Sequence, residues 1–342
     1  MSSSPQNDPL IPDPLPDPPK PHRDDSLTED EVISSVHAYF PYNVPDFVQH
    51  NDVSPLDDTP QFHSWPDPDP PPPTTRIPHL GHVALLAVLL FLGYVGSIVL
   101  ARSALYFHLW GIDSVQKAAT DVHYTIGIMA AAYLIMFAGA LLVFPPLWHE
   151  GLFAGLQWNA SSARHRLGAL LGAASICFLL AMLDELLLPG PAKAPIDQLF
   201  DSRTAAWLLF GFGVTFAPFF EEMIFRGFLL PALCTAFDWS VDQYTGTPAR
   251  PLDPHGHPQW SFPAMIFASV ATSVPFALMH AAQTAWSLGP FLLLVCVSLV
   301  LSWARLATRS LAASVLVHAS YNFLLFSLML LGTNGFRHLD KM

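Results

Sequence analysis

Three short stretches place ionisable side chains inside apolar sequence. The first, APFFEEMIFRGFLL over residues 217–230, holds Glu221, Glu222 and Arg226. Unpaired at the centre of a membrane helix, three charges would cost about 8–10 kcal/mol, at about 2.5–3.5 kcal/mol each. Glu222 and Arg226 are four residues apart, so on a helix they share a face and can form an ion pair. Glu221 is turned about 100° from Glu222, and no partner for it is evident on the same helix. Dehydration makes a carboxylate a stronger base, able to take a proton from water. The second stretch, PFALMH over residues 275–280, spaces Phe276 and His280 one helical turn apart. The third, VLVHASYNFLLF over residues 315–326, sets His318 and Asn322 at the same i, i+4 spacing. Each stretch also has a plainer reading: an interfacial charge cluster, a histidine at a span end, and a hydrogen bond that packs two helices.

Taken together, one glutamate, two histidines and an asparagine on three helices supply a base, hydrogen-bond donors for an oxyanion and potential metal ligands. Those are the parts of a hydrolytic site that activates water against an amide. Other hydrolytic signatures are missing. His149-Glu150 opens as a zincin motif would, but position 153 is Phe, so HExxH is incomplete. No GxSxG nucleophile elbow occurs. His255 and His257 lie in a proline-rich loop, DPHGHPQW, where solvation explains them better than a metal. Cys177, Cys234 and Cys296 are widely separated in apolar sequence and are expected to be small buried fillers.

The elements that must position these residues follow from composition. Of 342 residues, 52% are apolar and only 12% charged, against about 25% charged in soluble domains. Residues 1–78 hold 19 of the 33 prolines, with 14 acidic residues against three basic ones; the remainder has 13 acidic against 12 basic. The net charge of −12 therefore belongs almost wholly to the first segment. A soluble enzyme, a disulfide scaffold and a nucleic-acid binder are all disfavoured. Uncharged or nearly uncharged runs occupy residues 83–101, 124–144, 167–183, 204–220, 261–279, 287–304 and 310–332. Each approaches the roughly 20 helical residues that a 30 Å apolar layer requires. Backbone polar groups in lipid must bond within their own segment. The expected fold is thus all-α, a polytopic transmembrane helical bundle of seven spans. The fourth run continues through residues 221–237; Pro218 is expected to kink it and an eighth, partial span is allowed. The third run is expected to end at an interface marked by Asp184 and Glu185.

Two regions are expected: a disordered, acidic, proline-rich arm over residues 1–78 and the bundle over residues 79–342. Residues 31–50, richer in aromatics, are a candidate docking element within the arm. The N-terminus lacks the basic start and immediate apolar run of a cleavable signal peptide, so the first span is expected to serve as an uncleaved anchor. Lysine and arginine are spread almost evenly over alternate loops, with Arg305 and Arg309 counted before the last span, and give no orientation.

The three stretches resemble the CPBP family of CAAX-prenyl-proteases and bacteriocin-processing intramembrane proteases. Its marks are EExxxR, FxxxH and HxxxN, each on a separate transmembrane helix. They occur here in that order as Glu221-Glu222-Met223-Ile224-Phe225-Arg226, Phe276-Ala277-Leu278-Met279-His280 and His318-Ala319-Ser320-Tyr321-Asn322. The resemblance covers about residues 204–330. It implies Glu221 as general base with His280 helping to hold the attacking water. It implies His318 and Asn322 as oxyanion stabilisers, and Glu222 with Arg226 as a brace or substrate-orienting pair. The family is usually catalogued as metalloproteases, so Glu221, His280, His318 and Asn322 are the ligand set if zinc is present, although Asn is a poor zinc ligand. A metal-free mechanism fits the same four residues.

The expected function is therefore an intramembrane endopeptidase acting on a membrane-associated protein or peptide, with a CAAX-type C-terminus or a leader peptide as substrate. It would reside in the lipid bilayer of a plasma or inner membrane and have no nucleic-acid partner. Two other readings stay open on sequence grounds: a non-catalytic scaffold of the same fold, and a proton-coupled transporter. The lack of matched, interrupted half-repeats counts against the transporter.

Overall fold

A computed structural model describes residues 78–188, 195–200, 202–246 and 259–338. The expected arm and its candidate docking element lie outside the described residues, as do His255 and His257. Among the described residues the chain is all-helical, with no strand.

Seven helices are long and apolar enough to cross a membrane: α1 (Leu80–Tyr106), α2 (Val122–Trp148), α3 (Leu167–Leu187), α4 (Arg203–Thr245), α5 (Phe262–Ala281), α6 (Leu288–Thr308) and α7 (Leu311–Gly332). All seven expected spans are present. Local sequence explains several starts: Asp121 accepts from the amides of His123 and Tyr124 ahead of α2. Ser202 and Ser261 accept from Ala205 and Ala264 ahead of α4 and α5. Such caps satisfy amides that the first helical turn leaves unpaired.

At the end of the third span, α3 carries Asp184 and Glu185 in its last turn. Two expectations need correction. Cys177 and Cys234 are buried, but Cys296 is exposed on α6. Among the described residues no eighth span forms, because α4 is one continuous 43-residue helix. At about 1.5 Å per residue it is roughly 65 Å long, about twice the apolar layer. Its C-terminal turns carry Asp238 and Asp242, as befits a helix that runs on past that layer. Pro218 does not break it. The turn before it, Phe212–Phe216, is a π-helix, and a second π-segment spans Met223–Leu229. Such bulges absorb residues whose i→i−4 bond is missing.

The helix α4 is the centre of the bundle. Phe220, Met223 and Phe228 face a cluster that contains Leu86 of α1 and Tyr133, Met136, Phe144 and Trp148 of α2. Phe225 faces the opposite cluster, with Cys177 of α3, Phe276 of α5, Leu301 of α6 and Val317 and Tyr321 of α7. The outward residues are apolar as well: Phe91, Leu142, Leu186 and Leu331 are exposed. A belt of that kind suits lipid, which offers no hydrogen-bond partners. The chain is an integral membrane protein.

The α1–α2 contact depends on one glycine. A Cβ built on Gly93 would lie 2.5 Å from the Ala132 carbonyl oxygen, whereas one on Gly127 would meet nothing within 4 Å. Gly93→Val should therefore force the two helices apart, at about 1–3 kcal/mol, and lower the thermal midpoint in detergent. Gly127→Ala should leave it within a degree or two. Equal midpoints for the two variants would show that the close approach is not tight.

Candidate active site

Five of the six marked residues converge from α4, α5 and α7. Glu222, fully buried, is the hub. Its Oε1 accepts from Arg226 Nη1 at 2.9 Å and from His318 Nδ1 at 2.9 Å. Arg226 is also fully buried and donates through Nη2 to the carbonyl oxygen (2.9 Å) and the hydroxyl (2.6 Å) of Ser298 on α6. The guanidinium lies 4.7 Å from the Phe276 ring centroid, within cation–π range. Phe276 in turn faces His280 and His318, at ring separations of 5.0 and 5.8 Å.

Glu221 points elsewhere, as the helical geometry requires. Its Oε2 lies 3.8 Å from His280 Nε2 and 3.8 Å from His318 Nε2. Both gaps exceed a direct hydrogen bond. The other nitrogen of each ring is engaged: His280 Nδ1 donates to the Phe276 carbonyl at 2.9 Å, and His318 Nδ1 to Glu222. Neutral His280 therefore presents an unprotonated Nε2 toward Glu221.

Asn322 does not join this group. Its Nδ2 donates to the Gly213 carbonyl of α4 at 2.7 Å, and among the described residues no hydrogen bond links it to Glu221, His280 or His318. It nevertheless sits one turn beyond His318 on α7, and its amide has a second N–H.

Ligand atoms bound at about 2.0–2.2 Å lie roughly 3.3–3.6 Å apart, less than the 3.8 Å from Glu221 to each histidine. Asn322, the fourth candidate ligand, is held on Gly213. Among the described residues no group of three or more His, Cys, Asp or Glu side chains has the geometry to hold a metal ion.

Residues 203–324 match the family model described as type II CAAX prenyl endopeptidase, Rce1-like. No curated protein and no solved structure matches the chain. The matched stretch contains all six marked residues and nearly coincides with the 204–330 stretch expected from the sequence. It is consistent with a CPBP intramembrane protease and supports endopeptidase activity in general.

Sequence reasoning missed three participants in the site. Ser298 gave no signal, being one serine in an uncharged span. The Gly213 carbonyl depends on a π-turn that side-chain patterns do not reveal. Arg305, counted as a loop charge, is a buried residue of α6. Removing one partner of a buried ion pair typically costs about 3–5 kcal/mol. Arg226→Met should destabilise the domain by about that amount, and Glu222→Gln added to it should recover part of the loss. Denaturant unfolding in micelles checks this; a double variant no better than Arg226→Met would contradict the pairing.

Proposed function

We propose that the chain is a glutamate-dependent intramembrane endopeptidase, cutting a peptide bond near a CAAX-type C-terminus of a membrane-associated protein. The observation that carries this reading is the shared approach of His280 Nε2 and His318 Nε2 to Glu221 Oε2, 3.8 Å each. The Rce1-like match supports the substrate class.

In this mechanism a water lies against Glu221 Oε2 and His280 Nε2. Glu221 takes one of its protons while the second is hydrogen-bonded to His280, whose orientation is set by the Phe276 carbonyl. The water oxygen attacks the scissile carbonyl carbon and negative charge moves to the carbonyl oxygen. His318 in its imidazolium form donates from Nε2 to that oxyanion and balances its charge, with Nδ1–H held on Glu222, whose own charge faces Arg226. Asn322, anchored on Gly213, offers its second N–H from the same face of α7. The C–N bond then breaks as Glu221 passes its proton to the departing amine. Glu222 and Arg226 bind no substrate; they fix His318. A general base is typically worth 10²–10⁴-fold, and a preorganised oxyanion donor about 10²–10³-fold.

Glu221→Gln keeps size and removes the base, so cleavage of a prenylated CAAX peptide by the reconstituted protein should fall at least about 100-fold. Retained cleavage would overturn the glutamate mechanism. Cleavage of a leader peptide but not of the CAAX peptide would overturn the substrate assignment. Prolonged treatment with a chelator should leave the rate within about twofold; a loss restored by added zinc would overturn the metal-free reading.

A further inference from the structure

Each π-segment of α4 ends against a proline, and each leaves one carbonyl without a helical donor. In the first, the Ala217 amide bonds to Phe212 O, five residues back. The next carbonyl, Gly213 O, would require an amide from residue 217, already engaged, or from residue 218, which is proline. Asn322 Nδ2 of α7 supplies the missing donor at 2.7 Å. In the second, the Leu230 amide bonds to Phe225 O, and Arg226 O would next look to residue 231, again proline. Here the donor comes from α6: Arg305 Nε bonds to Arg226 O at 3.2 Å. Buried carbonyls without donors are rare because desolvating them is costly.

Arg305 is itself 3% exposed. Its Nη2 reaches the Leu156 carbonyl at 3.5 Å and Gln157 Oε1 at 2.8 Å. All its hydrogen bonds in the structure are thus to neutral acceptors, two of them backbone carbonyls. Charged side chains buried in a membrane bundle are functional candidates, and this one grips the backbone of the residue whose side chain braces Glu222.

We propose that Arg305 is a positioning residue for the active site: it replaces the donor that Pro231 lacks, holds the Met223–Leu229 π-segment in register, and through Arg226 and Glu222 fixes His318. Asn322 performs the same service for the segment before Glu221. The catalytic half rests on the glutamate mechanism above; the backbone half does not.

The test is a double-mutant cycle in the full chain reconstituted in nanodiscs. Arg305→Met removes the donor at nearly constant length, and Pro231→Ala returns an amide to position 231. Arg305→Met should lower kcat about tenfold or more with KM within about twofold, and lower the thermal midpoint. Pro231→Ala alone should change little. The double variant should recover most of both losses, because the new amide can serve Arg226 O. Gln157→Leu removes a different contact of the same guanidinium; it should lower the midpoint while leaving kcat within about twofold. An Arg305→Met protein with wild-type kcat, or a double variant whose kcat is no better than that of Arg305→Met, would overturn the proposal. Should the wild type cleave nothing, the glutamate mechanism fails, and strict additivity of the two substitutions in the thermal midpoint would still overturn the backbone role.

Discussion

The structure depends on one carboxylate. Glu222 sits fully buried in a membrane bundle, and a charge there is tolerable only when paired and hydrogen-bonded. Its Oε1 receives Arg226 from its own helix and His318 from α7, and Arg226 carries the link on to Ser298 of α6. Three helices are thereby held at one point by directional, charge-assisted bonds, in a bundle whose other contacts are mostly apolar and non-directional. Helix association in lipid gains little from the hydrophobic effect between spans, so such bonds set register where packing alone would permit sliding.

From this point the rest of the site follows. Fixing His318 Nδ1 on Glu222 turns its Nε2 toward Glu221, and the backbone carbonyl of Phe276 does the same for His280. A single carboxylate oxygen then faces two ring nitrogens at equal distance. The π-segments on either side of Glu221-Glu222 are the backbone's part in this arrangement. They let one helix carry two prolines and two glutamates without breaking, and they free carbonyls that side chains from α6 and α7 capture. Irregular backbone at membrane depth is tolerated where neighbouring protein satisfies it, as Asn322 and Arg305 do here.

Much of this was legible in the sequence. Seven apolar runs became seven helices because length and lack of charge are strong constraints in lipid. The Glu222–Arg226 pair followed from i, i+4 spacing, and Glu221's separate direction from the 100° turn between neighbours. What stayed hidden depended on tertiary placement. Pro218 was expected to kink the helix and an eighth, partial span was allowed, whereas a π-turn precedes the proline and α4 continues past it. Asn322 was expected to face the oxyanion; that one of its N–H groups also holds the Gly213 carbonyl could not be read from the sequence, because that acceptor is freed by the π-turn. Arg305 looked like a loop charge because its partners, Arg226 O, Leu156 O and Gln157, are remote in sequence. Pro218 and Pro231, each without an amide to donate, were the sequence signal that could have flagged both segments.

The central claim is that Glu222 and Phe276 orient the two histidines through their Nδ1 atoms. It is tested most directly by ¹⁵N NMR of histidine-labelled protein in nanodiscs, with each ring assigned by its loss in His280→Gln and His318→Gln. The account predicts a proton on Nδ1 of both rings when neutral, with Nε2 bare. A neutral His318 ring protonated on Nε2 instead would contradict it, because the Glu222 hydrogen bond could not then exist.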